Sequence, residues 1–309
     1  MSVPPSRLKA ILLALLVTFI WSTSWVLIKI GLRDIPALTF AGMRYSLAFL
    51  CLAPFLLRKE EWSQVKRFTR RDWLKVALLG IVLIAFAQGA QFLGLAYLPA
   101  ITVSLILNLT SLFVAFFGII FLKETPTWLQ WSGVVLNLVG MIVYFYPSAF
   151  KDGAIIGIAA AVVALMANVG GSLLGRNMNM NGRIRPLPLT AVSMGIGSVL
   201  MLAVGLITQG LPPISLQSWG ILLLLAVVNT AFTFTVWNYT LQTLTAMESS
   251  IINSTMMIQI AVLAWIFLGE RIDFKGVIGL VLVAAGTFIV HLRFAPRKVL
   301  DPLINSRSD

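Results

Sequence analysis

Two stretches decide how this chain folds: Tyr97 to Glu124, YLPAITVSLILNLTSLFVAFFGIIFLKE, and Thr243 to Glu270, TLTAMESSIINSTMMIQIAVLAWIFLGE. Laid over one another at an offset of 146 residues, they align Leu98, Ala100 and Ser104 with Leu244, Ala246 and Ser250. The register holds at the far ends, where Phe121-Leu122-Lys123-Glu124 falls on Phe267-Leu268-Gly269-Glu270. Beyond them Gly133 and Gly140 fall on Gly279 and Gly286. Any two apolar runs share aliphatic residues by chance. A glutamate and two glycines in fixed register are not so easily shared, so the chain reads as a duplicated unit.

Working outward, the whole chain is as apolar as these two runs. Of 309 residues, 59% are hydrophobic and 11% charged, where a soluble domain carries about 25% charged residues. Folded in water, such a chain would lack the polar surface to cover itself, whereas lipid tolerates it. A helix needs about 20 apolar residues to cross roughly 30 Å of hydrocarbon. Such stretches lie near 9–31, 36–57, 73–94, 99–121, 127–146, 153–175, 187–208, 216–240, 246–268 and 274–293. Most breaks carry proline, at Ile35-Pro36, Leu98-Pro99, Thr125-Pro126, Pro147-Ser148, Arg185-Pro186 and Pro212-Pro213. The thinnest break is Thr243–Ala246. The expected fold is an all-α membrane protein of ten transmembrane helices, five in each half: residues 1–147, then 148–294, with a tail at 295–309. Because five is odd, the second half enters the membrane from the opposite face. The halves are then inverted repeats around a central cavity, the geometry of alternating access.

The formal charge of +12 invites a nucleic-acid reading, but the basic residues sit between apolar runs and no soluble stretch could hold a basic fold. They report orientation instead. With the N-terminus inside, Arg7, Lys9, the cluster from Arg58 to Lys75, Lys123, Arg176, Arg183, Arg185 and the C-terminal arginines and lysine share the cytoplasmic side. The far side keeps Lys29, Arg33, Lys151, Arg271 and Lys275. Both termini are therefore expected in the cytoplasm. The first apolar run is too long for a signal peptide and lacks a small-x-small cleavage site, so it reads as a retained helix. Cys51 is the single cysteine, which leaves no disulfide to consider. Between Arg58 and Trp73, basic residues alternate with Trp62, Val65 and Phe68. That pattern suits a solvated, topology-fixing linker, with an interfacial helix against lipid headgroups as the alternative.

Tyr97-Leu-Pro-Ala-Ile-Thr-Val-Ser-Leu through Glu124, then Trp131-Ser-Gly133 and Gly140, resembles the EamA repeat of the drug/metabolite transporter superfamily. Trp21-Ser-Thr-Ser-Trp25 with Lys29 is similar to the opening helix of that repeat, and Pro36-Ala-Leu-Thr-Phe through Arg44 to its second. The likeness covers residues 8–293. It implies a ten-helix exporter of aromatic and other neutral amino acids in a bacterial inner membrane.

Polar side chains inside spans carry the information about a site, because each needs a partner or a watery cavity. Helix four presents Ser104, Asn108 and Ser111 on one face with Thr110 beside them, and its repeat image presents Ser250, Asn253 and Ser254. Helix three adds Gln88 and Gln91, and helix eight adds Asn229, Thr233 and Trp237 at i, i+4 and i+8. Asn168 in helix six lies at the repeat image of Ser22. These stripes fit the lining of a shared midplane cavity. For a single serine or threonine, a hydrogen bond between helices is the simpler reading. Trp21 and Trp25, one turn apart and deep in the first span, fit either apolar walls of the cavity or lipid-facing packing. Arg44 is a cation well inside a span. It could pair with a substrate carboxylate or with backbone carbonyls near the outer face, and the resemblance favours the second. Glu124 and Glu270 each precede a helix start beside an N-cap candidate, Thr127 or Asp273, and read as structural.

No Asp or Glu holds a midplane position, so facilitated diffusion is the expected mechanism. Exporters of other small metabolites or drugs, proton-coupled ones included, are the same-class alternative. A membrane-embedded enzyme fails on its parts: His291 is the single histidine, and no His-Glu-x-x-His, Cys/His pair or Asp dyad exists. The sequence implies no metal and no cofactor. Its expected partners are a small-molecule substrate and the lipid bilayer, and a monomer is compatible with everything above.

Overall fold

A computed structural model describes residues 6–122, 127–145, 153–180, 184–240, 243–244 and 246–291. Among them there is no strand. In chain order the helices are α1 (Arg7–Gly31), α2 (Ala37–Leu56), α3 (Lys59–Lys66) and α4 (Arg70–Leu79), which runs through a π-helical stretch, Gly80–Gln88, into α5 (Gly89–Tyr97). Then come α6 (Ala100–Leu122), α7 (Trp128–Phe145), α8 (Ala154–Met180), α9 (Pro186–Gln209) and α10 (Leu216–Ala226). A second π stretch, Val227–Phe232, leads into α11 (Thr233–Thr240), followed by α12 (Ala246–Ser254), α13 (Met256–Leu268) and α14 (Phe274–His291). Among the described residues, seven helical stretches are long and apolar enough to cross a membrane. Three more apolar helices, Ala100–Val114, Leu216–Thr230 and Phe274–Val290, are shorter.

The ends of these helices follow the punctuation in the sequence. Pro99 excludes helical backbone at the residue before it, so Leu98 is extended (φ −118°, ψ 156°) and α5 stops there. Pro186 sits in the first turn of α9, where its missing N–H costs nothing. Gly269, at φ 66°, closes α13 in the left-handed region. The α1–α2 loop is tied to α10 by Asp34, which accepts the hydroxyls of Ser215 at 2.6 Å and Ser218 at 2.7 Å. Those two bonds hold the Asp34 carboxyl below its ordinary range. The linker helix α3 buries Val65 and docks on the start of α9, where the Arg185 N–H donates to Gln64 Oε1 at 3.0 Å and the Arg185 guanidinium meets Glu61 at 3.1 Å.

The duplication reappears as contacts. Among the described residues the most extensive helix–helix contact joins α7 to α14, and its glycines are the ones in register in the sequence. A Cβ placed on Gly133 would lie 2.8 Å from Gly286 O, and one on Gly140 would lie 2.8 Å from Gly279 O. The two helices therefore run antiparallel with their backbones touching. Shifting by 146 residues turns the Gly133–Gly286 contact into the Gly279–Gly140 contact. The seam thus maps onto itself when the halves are exchanged. The π stretches obey the same relation, because Val227–Phe232 shifted back by the offset falls on positions 81–86, inside Gly80–Gln88.

The halves interlock. Helix α1 packs on α11, α12 and α13 of the second half, while α8 packs on the first π stretch, α5 and α6 of the first. Small residues permit that approach: Gly157 lies against Tyr97 and Leu98, and Gly171 against Leu83. Each half's first helix is thus lodged against the third and fourth apolar segments of the other half.

Candidate substrate site

On one side of α1 the polar face of α10–α11 is spent on holding α1. The Trp21 indole N–H donates to Thr233 Oγ1 at 2.9 Å and Asn229 O at 3.1 Å. In return Asn229 Nδ2 donates to Ile20 O at 2.5 Å. The Trp21 and Trp237 rings meet at 5.3 Å between centres. Asn229 and Thr233 are almost wholly enclosed, at 2% and 0% exposed. The structure thus brings Trp21, Asn229, Thr233 and Trp237 into one cluster, in which the amide and hydroxyl bond protein. That is what a low-dielectric interior demands of polar groups placed there. Replacing Trp21 by Phe keeps a ring but removes the donor shared by Asn229 O and Thr233. Thermal unfolding in detergent should show a loss of about 1 kcal/mol, and an unchanged midpoint would mean that the bond holds nothing.

A second polar bridge joins α1 to α13 through Gln259. Its Oε1 accepts from Ser22 at 2.9 Å, and its Nε2 donates to Thr255 at 3.2 Å and Thr18 at 3.3 Å. Sequence reading passed over Gln259, although a lone amide in the run Met256–Leu268 is the same signal that singled out Gln88.

The remaining residues separate. Asn108 donates to Thr287 Oγ1 at 2.7 Å, and buried Asn137 donates to the same hydroxyl at 2.8 Å. Asn108 is thereby tied into the α6–α7–α14 contact. Asn168 bonds Ala164 O and Ser254 bonds Ile251 O, each within its own helix. Thr110 is half-buried, and the Ser111 side chain lies outside the described residues. Trp25 is buried in the main apolar core with Tyr45 and Phe92. Gln88 accepts the Tyr45 hydroxyl at 2.7 Å, which leaves its Nε2 without a protein partner among the described residues. Gln91, half-buried three residues on, makes no hydrogen bond there at all. Arg44, 6% exposed, lies over the rings of Tyr45 and Phe92.

At the α5–α6 corner two charges grip the Leu98-Pro99-Ala100 turn. Lys29 Nζ donates to Leu95 O at 2.5 Å and Leu98 O at 2.6 Å, satisfying the carbonyl end of α5. The Glu270 carboxylate accepts from Ala100 N at 2.7 Å and Ile101 N at 3.2 Å, capping the amide end of α6. The sequence placed Glu270 at the start of the helix that follows it. That start, α14, is capped by Asp273, and Glu270 caps a helix of the other half. Glu124 lies outside the described residues. A groove of about 810 Å³ lies between α12–α13 and α14, lined by residues that include Ser254, Thr255, Ile258, Trp265, Val281 and Phe288.

The chain matches the EamA-like transporter family twice, over residues 8–146 and 154–292. The chain belongs to the EamA-like transporter family. The two EamA segments begin 146 residues apart, the offset of the duplication. This EamA protein is 25% identical over 289 residues to an uncharacterized transporter of Archaeoglobus fulgidus, covering 91% of this chain and 96% of that one. It is 29% identical to the uncharacterized transporter YvbV of Bacillus subtilis over 98% of both chains. It is also 26% identical to a S-adenosylmethionine/S-adenosylhomocysteine transporter of Chlamydia trachomatis, covering 84% of this chain and 82% of the other. A solved crystal structure superposes with a TM-score of 0.67 over 92% of this chain and 98% of its own, at 16% identity, a likeness of fold. As an EamA protein the chain is a multi-pass membrane transporter and not an enzyme.

Proposed function

We propose that this transporter exports amino acids, aromatic and other neutral ones foremost, from the cytoplasm through a passage between its two halves. The observation that carries the reading is the pair of amides, Gln88, whose Nε2 has no protein partner among the described residues, and Gln91, which makes no hydrogen bond there, beside apolar walls and the buried Arg44. Unspent hydrogen-bonding capacity inside an apolar bundle suits a small polar cargo with a variable apolar side chain. All ten apolar segments cross the inner membrane, both termini are cytoplasmic, and residues 1–147 and 148–294 act as inverted halves that expose the cavity to one side at a time, with 295–309 as a cytoplasmic tail. Among the described residues no carboxylate stands mid-span to carry a coupled proton, which favours a cargo that moves down its own gradient. The relative named for S-adenosylmethionine supports a second cargo, an amino acid joined to a nucleoside, which offers the same carboxylate and ammonium.

Purified protein in proteoliposomes decides between these. Flux of L-phenylalanine, L-alanine or L-threonine, insensitive to an imposed pH gradient, is expected. Flux of S-adenosylhomocysteine alone would favour the second cargo, and no flux of any of them would end both readings. Gln88→Ala, Gln91→Ala and Trp237→Ala should shift rates or substrate ranking severalfold with insertion intact. Three variants identical to the parent would place the passage elsewhere.

A further inference from the structure

Arg44 lies within α2, buried at 6% exposure, and among the described residues no carboxylate neutralises it. Its guanidinium carbon is 5.2 Å from the Tyr45 ring centre and 5.9 Å from that of Phe92. Two aromatic faces recover part of the cost of desolvating a cation, but they supply no in-plane acceptor for its five N–H donors. Nε is fully enclosed and has no hydrogen-bond partner. Among the described residues no carboxylate, hydroxyl or carbonyl accepts from any part of the group. The helix-end carbonyls that the sequence offered as partners are not engaged by it. A buried charge left in that condition is costly, and none of the described residues supplies the missing acceptors.

Helix α5 faces it with Phe92, and Gln88 and Gln91 stand one turn and one residue before that ring. Gln88 is held by the Tyr45 hydroxyl, on the residue next to Arg44. Arginine's planar fork takes a carboxylate through two parallel bonds, and the Tyr45 and Phe92 rings flank it here. Within the described apolar helices the other cation close to this helix pair, Lys29, is already committed to two carbonyls. One uncommitted cation matches a monoanion better than a phosphate dianion.

We propose that Arg44 is the anchor for the carboxylate of the transported molecule, with the Gln88 and Gln91 amides completing the hydrogen bonds to that carboxylate and its neighbouring ammonium. The assignment rests on the proposed amino-acid cargo and deepens it.

The test compares L-phenylalanine with L-phenylalaninamide in proteoliposomes. The parent should prefer the acid at least about tenfold in kcat/KM, and Arg44→Gln should raise KM for the acid by about tenfold or more while leaving the amide unchanged, so that the preference collapses. Arg44→Lys, which keeps the charge but not the fork, should retain a weakened preference. Equal use of acid and amide by the parent, or an Arg44→Gln protein that keeps the parent's preference, overturns the anchor while the cargo assignment stands. Should Arg44→Gln fail to fold, Arg44→Lys decides, because an unchanged KM for the acid overturns the proposal. If the parent moves neither compound, and neither L-alanine nor L-threonine, the cargo assignment has failed, and the anchor is then read from thermal stabilisation of the purified protein by benzoate, pyruvate and S-adenosylhomocysteine against their amides. Stabilisation by the acids alone, lost in the Arg44 variant, supports it, and no stabilisation by any acid overturns it.

Discussion

Gly286→Leu should part α14 from α7 and leave a protein several kcal/mol less stable, the largest single-residue effect expected here. Even the first added atom has nowhere to go. A Cβ on Gly286 would stand 2.5 Å from Asn137 N and 2.6 Å from Gly133 O, and both are backbone atoms that cannot swing aside. Overpacking a close seam costs about 1–3 kcal/mol for modest groups and more when backbone must retreat. The retreat would also pull Thr287 away from Asn137 and Asn108, which both donate to it. Gly133→Leu should do the same, because it faces Gly286 across the seam. Gly220 makes the control: a Cβ there meets nothing within 4 Å, so Gly220→Leu should change stability by less than about 1 kcal/mol. Thermal unfolding of the detergent-solubilised proteins compares them, and equal midpoints for Gly286→Leu and Gly220→Leu would show that the seam is not load-carrying.

Glu270→Ala should cost about 2–3 kcal/mol, the value of charge-assisted hydrogen bonds lost at a helix end. Two amides of the α6 first turn lose their acceptors, and Lys29 across the same corner loses the attraction of that carboxylate. Glu270→Gln keeps one acceptor oxygen and should recover about half of the loss. Hydrogen exchange at Ala100 and Ile101 should rise in the alanine variant, and exchange at the parent's rate would mean that water caps α6 equally well. A double substitution with Lys29→Met should be less damaging than the sum of the single changes, because the charges act on one turn.

Much of the fold was legible because hydrophobic length, proline and the repeat are local or periodic signals. The stretch 216–240 is helical along its length, and the break at Leu98-Pro99 falls where the residue before proline must leave the helix. The 146-residue register anticipated which glycines matter, though not that Gly133 would meet Gly286 rather than its own image, Gly279. The site was legible as residue types only. An amide in an apolar run announces that it needs a partner, and Asn229, Gln259 and Gln88 send the same signal. Their fates differ: Asn229 bonds Ile20, Gln259 bonds Ser22 and Thr18, and Gln88 keeps an amide nitrogen unspent.

By itself the sequence determined that the protein lives in lipid, that its unit is duplicated, and where most helices begin and end, since solvent, repeat and chain stiffness act along the chain. Only the tertiary structure decided which helices touch. Lodging α1 in the second half and α8 in the first is a matter of surface fit between segments more than a hundred residues apart. That fit made Trp21 and Thr233 partners and sent Glu270 to cap α6, and packing likewise left Arg44 enclosed with no acceptor among the described residues.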